Sequence, residues 1–139
     1  MTWWRSSDGC YGVHFNRDEK KARALGEPPT VIERRGVSCI APSDPQAGGT
    51  WILCNAFGLT VAVLNLYQAE QRQCRDSEAY SWLSRGEIPH LLGDAPDVDQ
   101  ALCRLRNLDM SRYRPVCVVL LDPHSEACLQ SDGTERSVI

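Results

Sequence analysis

Short apolar runs separated by turn residues fill the N-terminal half of the chain, a pattern typical of β-strands. Ser7-Asp8-Gly9 and Arg35-Gly36 each stand between two such runs and predict the turns of two β-hairpins. In the run 59–65 both faces are largely apolar, which favours a sheet covered on both sides. The predicted strands are 2–5, 11–15, 31–34, 37–41, 50–55 and 59–65.

The C-terminal half of the chain carries the helical pattern. Residues 67–80 are polar and predict a surface loop. Ser84 and Glu87 have the spacing of a capping box, which predicts a helix over 85–92. Apolar residues spaced three and four apart predict an amphipathic helix over 97–108.

Two apolar runs, 115–122 and 126–130, predict the last strands, with the second pairing back on the first. The order of six strands, two helices and two strands indicates the α+β class, with an antiparallel sheet and helices on one face. A length of 139 residues and the lack of a linker indicate a single domain over 1–139.

Composition and charge exclude several classes of protein. No stretch approaches the ~18 apolar residues of a membrane-spanning helix, and the N-terminus has no apolar signal segment. The net charge is −3 and no basic cluster stands out, so a nucleic-acid partner is not expected.

The seven cysteines are evenly dispersed, odd in number and free of any C-x-x-C motif, which argues against a disulfide framework and against zinc. Several lie inside apolar runs, so we expect Cys39, Cys54 and Cys117 to be inaccessible. Such cysteines imply a reducing, cytoplasmic location. The three histidines lack metal-ligand spacing, and no residue context indicates a bound metal, haem or other cofactor.

Three polar clusters at strand ends are candidates for chemistry. Asn16-Arg17-Asp18-Glu19 follows a strand, where an arginine beside a carboxylate can hold an anionic group, although a solvated turn needs the same residues. Gly48-Gly49-Thr50-Trp51 offers close backbone approach and an apolar wall, or simply a tight turn. The segment 55–65 ends in Asn65, whose amide can donate to an oxyanion or merely close the strand.

Together these motifs resemble the NRDE family, the transport and Golgi organisation 2 proteins. The resemblance rests on the order and spacing of Asn16-Arg17-Asp18-Glu19, Gly48-Gly49-Thr50-Trp51, the segment 55–65 and Ser84-Arg85-Gly86-Glu87. It covers residues 3–92 well and the rest loosely.

The resemblance implies a fold like that of the N-terminal nucleophile hydrolases, in αββα layers and incomplete at the C-terminus. It places Asn65 at the position of an oxyanion-hole asparagine, and Arg17 and Asp18 beside the amine of the nucleophile. Asn16, Gly49 and Trp51 then contribute to ligand binding. Roles attributed to the family are Golgi organisation, secretion, and haem or lipid handling.

Two departures from the family pattern bear on function. The chain starts Met1-Thr2, where members carry Met-Cys, so Thr2 is the remaining candidate nucleophile. It also stops earlier than family members do, which implies an incomplete sheet and a homodimer that covers it. We expect the functional start to lie upstream and this chain to lack amide-hydrolase activity.

Two functions follow from the resemblance. The first is binding or carriage of a small apolar or anionic ligand, such as haem or a lipid. The alternative is an N-terminal-nucleophile amidohydrolase acting on a non-peptide C–N bond. Both place the amide of Asn65 in the same cleft as Arg17 and Asp18. We also expect Arg17→Ala to affect anion affinity more than stability, because changes at surface strand ends are usually mild.

Overall fold

The computed structural model describes residues 1–17, 24–70 and 81–139. Its strands are β1 (Thr2–Arg5), β2 (Tyr11–His14), β3 (Glu27–Arg34), β4 (Val37–Ser43), β5 (Ile52–Asn55), β6 (Thr60–Asn65), β7 (Val116–Leu121), β8 (Glu126–Ser131) and β9 (Arg136–Val138). Its helices are α1 (Tyr67–Glu70), α2 (Glu87–Leu92) and α3 (Val98–Asn107), and a 3-10 turn spans Met110–Arg112.

Strands β3 to β9 form one antiparallel sheet in sequence order, and β1 pairs with β2 in a separate hairpin. Alternate residues of the central strands, such as Val61 and Val118, are fully buried in one cluster with Ile88 of α2 and Leu105 of α3. The helices therefore cover one face of the sheet. The predicted α+β class and the antiparallel sheet with helices on one face are confirmed.

The hairpin β1–β2 docks on the opposite face of the sheet. Thr60 alternates with the helix-facing Val61, so its hydroxyl points away from the helices, and the Tyr11 hydroxyl contacts it at 2.8 Å. On the other strand of the hairpin, Arg5 donates to the Glu126 carboxylate at 2.7 Å and to the carbonyl of Asp122. These contacts start a second layer above the sheet.

Most predicted strands are confirmed, and β3 is longer than predicted. Pro28 and Pro29 lie within it, although the sequence favours a break there. They are tolerated because β3 is an edge strand and its register with β4 shifts between Glu27 and Thr30. The turn Arg35-Gly36 has φ of 47° and 82°, as a two-residue hairpin turn requires.

The predicted capping box at Ser84 is wrong. Helix α2 begins at Glu87 after Gly86, without a side-chain cap. The Ser84 hydroxyl accepts instead from the Gly86 amide at 3.3 Å, because the chain turns there before the helix starts. Helix α3 begins as predicted, with the Asp97 carboxylate accepting from the Gln100 amide at 2.8 Å.

Three short elements were not predicted. Helix α1 lies inside the predicted loop 67–80, of which residues 71–80 are outside the described part of the chain. The 3-10 turn at Met110–Arg112 and the polar strand β9 lack a recognisable sequence pattern. Strand β9 forms because β8 offers it an open edge.

The cysteine predictions are partly wrong. Cys39 is buried, but Cys54 is exposed and Cys117 is half-buried. Cys54 alternates with the fully buried Leu53, so it lies on the sheet face that the helices do not cover. The described cysteines are free thiols, and Cys74 lies outside the described residues.

No helix within the described ranges has the length and apolar character to cross a membrane.

Candidate functional site

A cleft of about 680 Å³ opens where one set of strand ends in the sheet meets the adjoining loops. Its walls come from the end of β4, the start of β5, the end of β6 and the start of β7. Neighbouring antiparallel strands run in opposite directions, so the ends of β4 and β6 and the starts of β5 and β7 lie at the same end of the sheet. The segment 15–17 after β2 and the segment 82–86 before α2 complete the cleft.

One side of the cleft is organised by Arg17. Its guanidinium lies 3.1 Å from the Asp44 carboxylate and 4.4 Å from the centre of the Trp51 ring. The side chains of Arg17 and Asp44 are only 16% and 9% exposed. Asp44 also accepts from the amides of Gln46 and Ala47, which fixes the loop between β4 and β5. This side of the cleft is therefore rigid and internally paired.

The backbone at the base of the cleft crosses at two glycines. The Thr50 amide donates to the Gly86 carbonyl at 3.0 Å. A Cβ at Gly49 would lie 2.7 Å from the carbonyl carbon of Gly86, so no side chain fits there. Gly49 and Gly86 thus allow the start of β5 to pack against the start of α2.

The other side of the cleft presents polar donors. The Asn65 amide donates to the Tyr67 hydroxyl at 2.7 Å, which leaves the O–H of Tyr67 as a donor. Arg85 donates to the Pro115 carbonyl at 2.9 Å, which brings its guanidinium to the chain segment that carries Arg114. Arg114 is exposed and lines the cleft.

Charge and apolar surface meet in this cleft. Among its described lining residues, the charged ones are Arg17, Arg85, Arg114 and Asp44, an excess of positive charge in a chain of net charge −3. Its apolar walls include the rings of Trp51 and Trp82. Such a cleft can hold an anionic group and an apolar body side by side.

The cleft brings together most of the residues singled out from the sequence. Asn16, Arg17, Gly49, Trp51 and Asn65 all line it. Asp18 and Glu19, the remaining members of the Arg17 cluster, lie outside the described residues.

Thr2 lies elsewhere. It is exposed on β1, paired with His14, and does not belong to the described lining of the cleft. The candidate nucleophile Thr2 is thus not among the described cleft residues that include Asn65.

Asn55, at the start of the motif that ends in Asn65, has a structural role. Its amide donates to the carbonyls of Gly93 and Ala95, and its carbonyl oxygen accepts from the amides of Phe57 and Leu59. All four hydrogen-bonding positions of this buried side chain are used. Asn55 therefore joins the β5–β6 turn to the loop between α2 and α3.

Several cleft residues were missed from the sequence. Asp44 falls in a segment that reads as an ordinary loop, and Arg114 precedes an apolar strand without any motif. Arg85 belongs to the motif Ser84-Arg85-Gly86-Glu87, but only the fold shows that it lines the cleft. Their common signal is a position just outside the end of a strand or helix, which becomes informative once the sheet order is known.

No group of three or more His, Cys, Asp or Glu side chains in the described ranges is arranged to hold a metal ion.

Comparison with known proteins agrees with the motifs. No curated protein matches the chain. The family model described as Transport and Golgi organisation 2 matches residues 13–137, which is most of the chain and includes every described segment of the cleft. The chain therefore belongs to the Transport and Golgi organisation 2 family, the NRDE family whose motifs it carries.

Proposed function

We propose that the cleft binds a small molecule with an anionic group and an apolar body, and that the protein is a binding or carrier protein for it. The observation that carries this proposal is the convergence of three guanidinium groups and two indole rings in one cleft. The volume of about 680 Å³ falls within the roughly 300–1,000 Å³ usual for small-molecule sites.

The two sides of the cleft have different tasks in this proposal. Arg17 is already engaged by Asp44 and Trp51, so it mainly holds the aromatic wall in place. Arg114 and the hydroxyl of Tyr67 lie at the other side and receive the anionic group, and Arg85, held at the Pro115 carbonyl, adds positive charge beside them. Guanidinium groups suit this task because their donors match a carboxylate in a bidentate geometry.

The ligand classes implied by the family resemblance fit this chemistry. Haem and fatty acids both combine carboxylate groups with a large apolar body. The docking of β1–β2 on the sheet face opposite the helices supports the layered arrangement of an N-terminal nucleophile hydrolase-like fold, in which such a cleft lies at the edge of the layers.

Calorimetric titration with two amphiphiles of equal chain length tests the proposal. Dodecanoate should bind at least tenfold more tightly than dodecyltrimethylammonium, because only the anion pairs with the guanidinium groups. Arg114→Gln should weaken dodecanoate binding about fivefold, a loss of about 1 kcal/mol. Arg106→Gln, which removes an exposed charge on α3 outside the cleft, is the matched control and should bind normally. Equal affinity for the two amphiphiles contradicts the proposal.

A further inference from the structure

The thiols of Cys117 and Cys128 form a close pair on neighbouring strands. Their sulfur atoms lie 3.2 Å apart. In the pairing of β7 with β8, Cys117 stands opposite Gln130 and Cys128 opposite Val119, so the two cysteines are diagonal neighbours on one face of the sheet. The register of β7 with β8 therefore brings the two thiols together, although their separation in the sequence does not reveal it.

The face that carries the pair is the one that α2 and α3 leave uncovered. Cys117 and Cys128 alternate with Val118 and Leu129, which are fully buried against the helices. Both thiols are half-buried rather than enclosed. A small reagent can therefore reach the pair from the side of the sheet opposite the helices.

We propose that Cys117 and Cys128 are a redox-active dithiol that low-molecular-weight disulfides convert into an intramolecular disulfide. A disulfide bond is about 2.05 Å long, so the two sulfur atoms must approach by about 1.2 Å. Because diagonal neighbours lie somewhat farther apart than the Cα atoms of a disulfide, side-chain rotation together with a small approach of β7 and β8 closes that gap. The inference is independent of the ligand proposed for the cleft.

The reaction balances with glutathione disulfide as the oxidant. The Cys128 thiol loses its proton, and its sulfur attacks one sulfur of the reagent, whose S–S bond breaks and releases one glutathione. Cys117 then loses its proton and attacks the Cys128 sulfur of the mixed disulfide, which releases the second glutathione. The two protein thiols lose two electrons and two protons, and the reagent is reduced to two thiols.

The order of attack follows from the environment of Cys117. Burial, together with its contact to Cys128, raises the pKa of Cys117 to about 12. Because the thiolate is the attacking form, a protonated Cys117 is poorly suited to the first step. The mixed disulfide replaces the Cys128 thiol, whose contact is one cause of that raised pKa, so Cys117 is suited to attack in the second step.

Peptide mapping of the full chain tests the proposal. The folded protein is equilibrated with glutathione disulfide, alkylated, unfolded and cleaved after glutamate. Cleavage after Glu87, Glu126 and Glu135 places Cys117 on peptide 88–126 and Cys128 on peptide 127–135, so these two peptides stay joined only if a disulfide links them. Because Cys103 also lies on peptide 88–126, the variant Cys103→Ser assigns the bond to Cys117. We expect the joined peptides from the wild type, and their separation after reduction.

Variants distinguish this pair from general thiol oxidation. Cys117→Ser should trap glutathione on Cys128, because the resolving thiol is gone, and Cys103→Ser, at an exposed cysteine on α3, should still give the joined peptides. The proposal is overturned if both cysteines of the folded wild type are recovered alkylated. It is also overturned if Cys128 of the wild type carries glutathione without progressing to the Cys117–Cys128 bond.

Discussion

The guanidinium of Arg17 lies 4.4 Å from the centre of the Trp51 ring. This cation–π contact joins the motif after β2 to the motif before β5, and the bond from Arg17 to Asp44 ties both to the end of β4. Three segments that are distant in sequence thus form one side of the cleft. The arrangement explains why motifs that are individually weak signals belong to one site.

Arg17→Ala should destabilise the protein by about 2 kcal/mol, because it removes the guanidinium that pairs with the largely buried Asp44 carboxylate. The expectation from the sequence was a mild effect, as for an exposed strand end, but the side chain is largely buried. Urea denaturation measures the loss.

Two further variants control that experiment. Arg106→Ala, at an exposed site on α3, should change the free energy of unfolding by less than about 0.5 kcal/mol. Adding Asp44→Asn to Arg17→Ala should recover part of the loss, since it removes the buried negative charge with which Arg17 pairs. An Arg17→Ala protein as stable as the wild type would show that the ion pair is unimportant.

Asn55→Ala should cost roughly 3 kcal/mol of stability, because two amides and two carbonyls, most of them buried, each lose a hydrogen bond at once. Asn107→Ala is a matched control, since its exposed side chain makes one bond to the Cys103 carbonyl, and it should cost less than about 1 kcal/mol. Similar losses in the two variants, measured by thermal or urea unfolding, would contradict the structural role of Asn55.

Gly49→Ala should destabilise the protein by about 2–3 kcal/mol, because the added Cβ meets the backbone of Gly86 at 2.7 Å. Gly36→Ala provides the comparison. Gly36 has a φ of 82° and open space around it, so alanine there should cost only backbone strain of about 1 kcal/mol, without steric overlap. A larger loss at Gly36 than at Gly49 would show that the crossing of the two chain segments is looser than described.

Stability should fall as the pH drops below about 6.5, in part through His90. Burial and the Arg34 guanidinium lower the pKa of His90, whose Nδ1 accepts from Arg34 at 3.0 and 3.2 Å. The unfolded chain therefore binds a proton at a higher pH than the folded protein does. The contribution of neutral His90 to stability is complete above the pKa of this residue in the unfolded chain. It is lost as the pH falls towards the pKa of His90 in the folded protein.

Urea denaturation between pH 7.5 and 5 measures this effect. His90→Gln should flatten the pH dependence, because glutamine can accept from Arg34 but does not titrate. His14→Gln, at an exposed position on β2, should keep the wild-type dependence. An unchanged profile in His90→Gln would assign the pH dependence to other groups.

The sequence predicts those parts of the fold that depend on local pattern. The hairpins, the pair β5–β6 and helix α3 follow from periodicity and turn residues, and apart from the longer β3 each lies close to its predicted bounds. The cleft depends on sheet order, which brings Arg17 and Arg114 to one edge from opposite ends of the chain. The exposure of Cys54 likewise depends on which face the helices cover, and an apolar run does not encode that choice.

The four tryptophans offer the most direct test of the ligand site, because Trp51 and Trp82 line the cleft whereas Trp3 and Trp4 lie on β1 outside it. Their indole N–H signals can be followed by two-dimensional nuclear magnetic resonance and assigned with single Trp→Phe variants. Titration with dodecanoate should shift the signals of Trp51 and Trp82 together and leave Trp3 and Trp4 in place. Saturating dodecanoate that leaves Trp51 and Trp82 unshifted, or that shifts only Trp3 and Trp4, would contradict the proposed cleft.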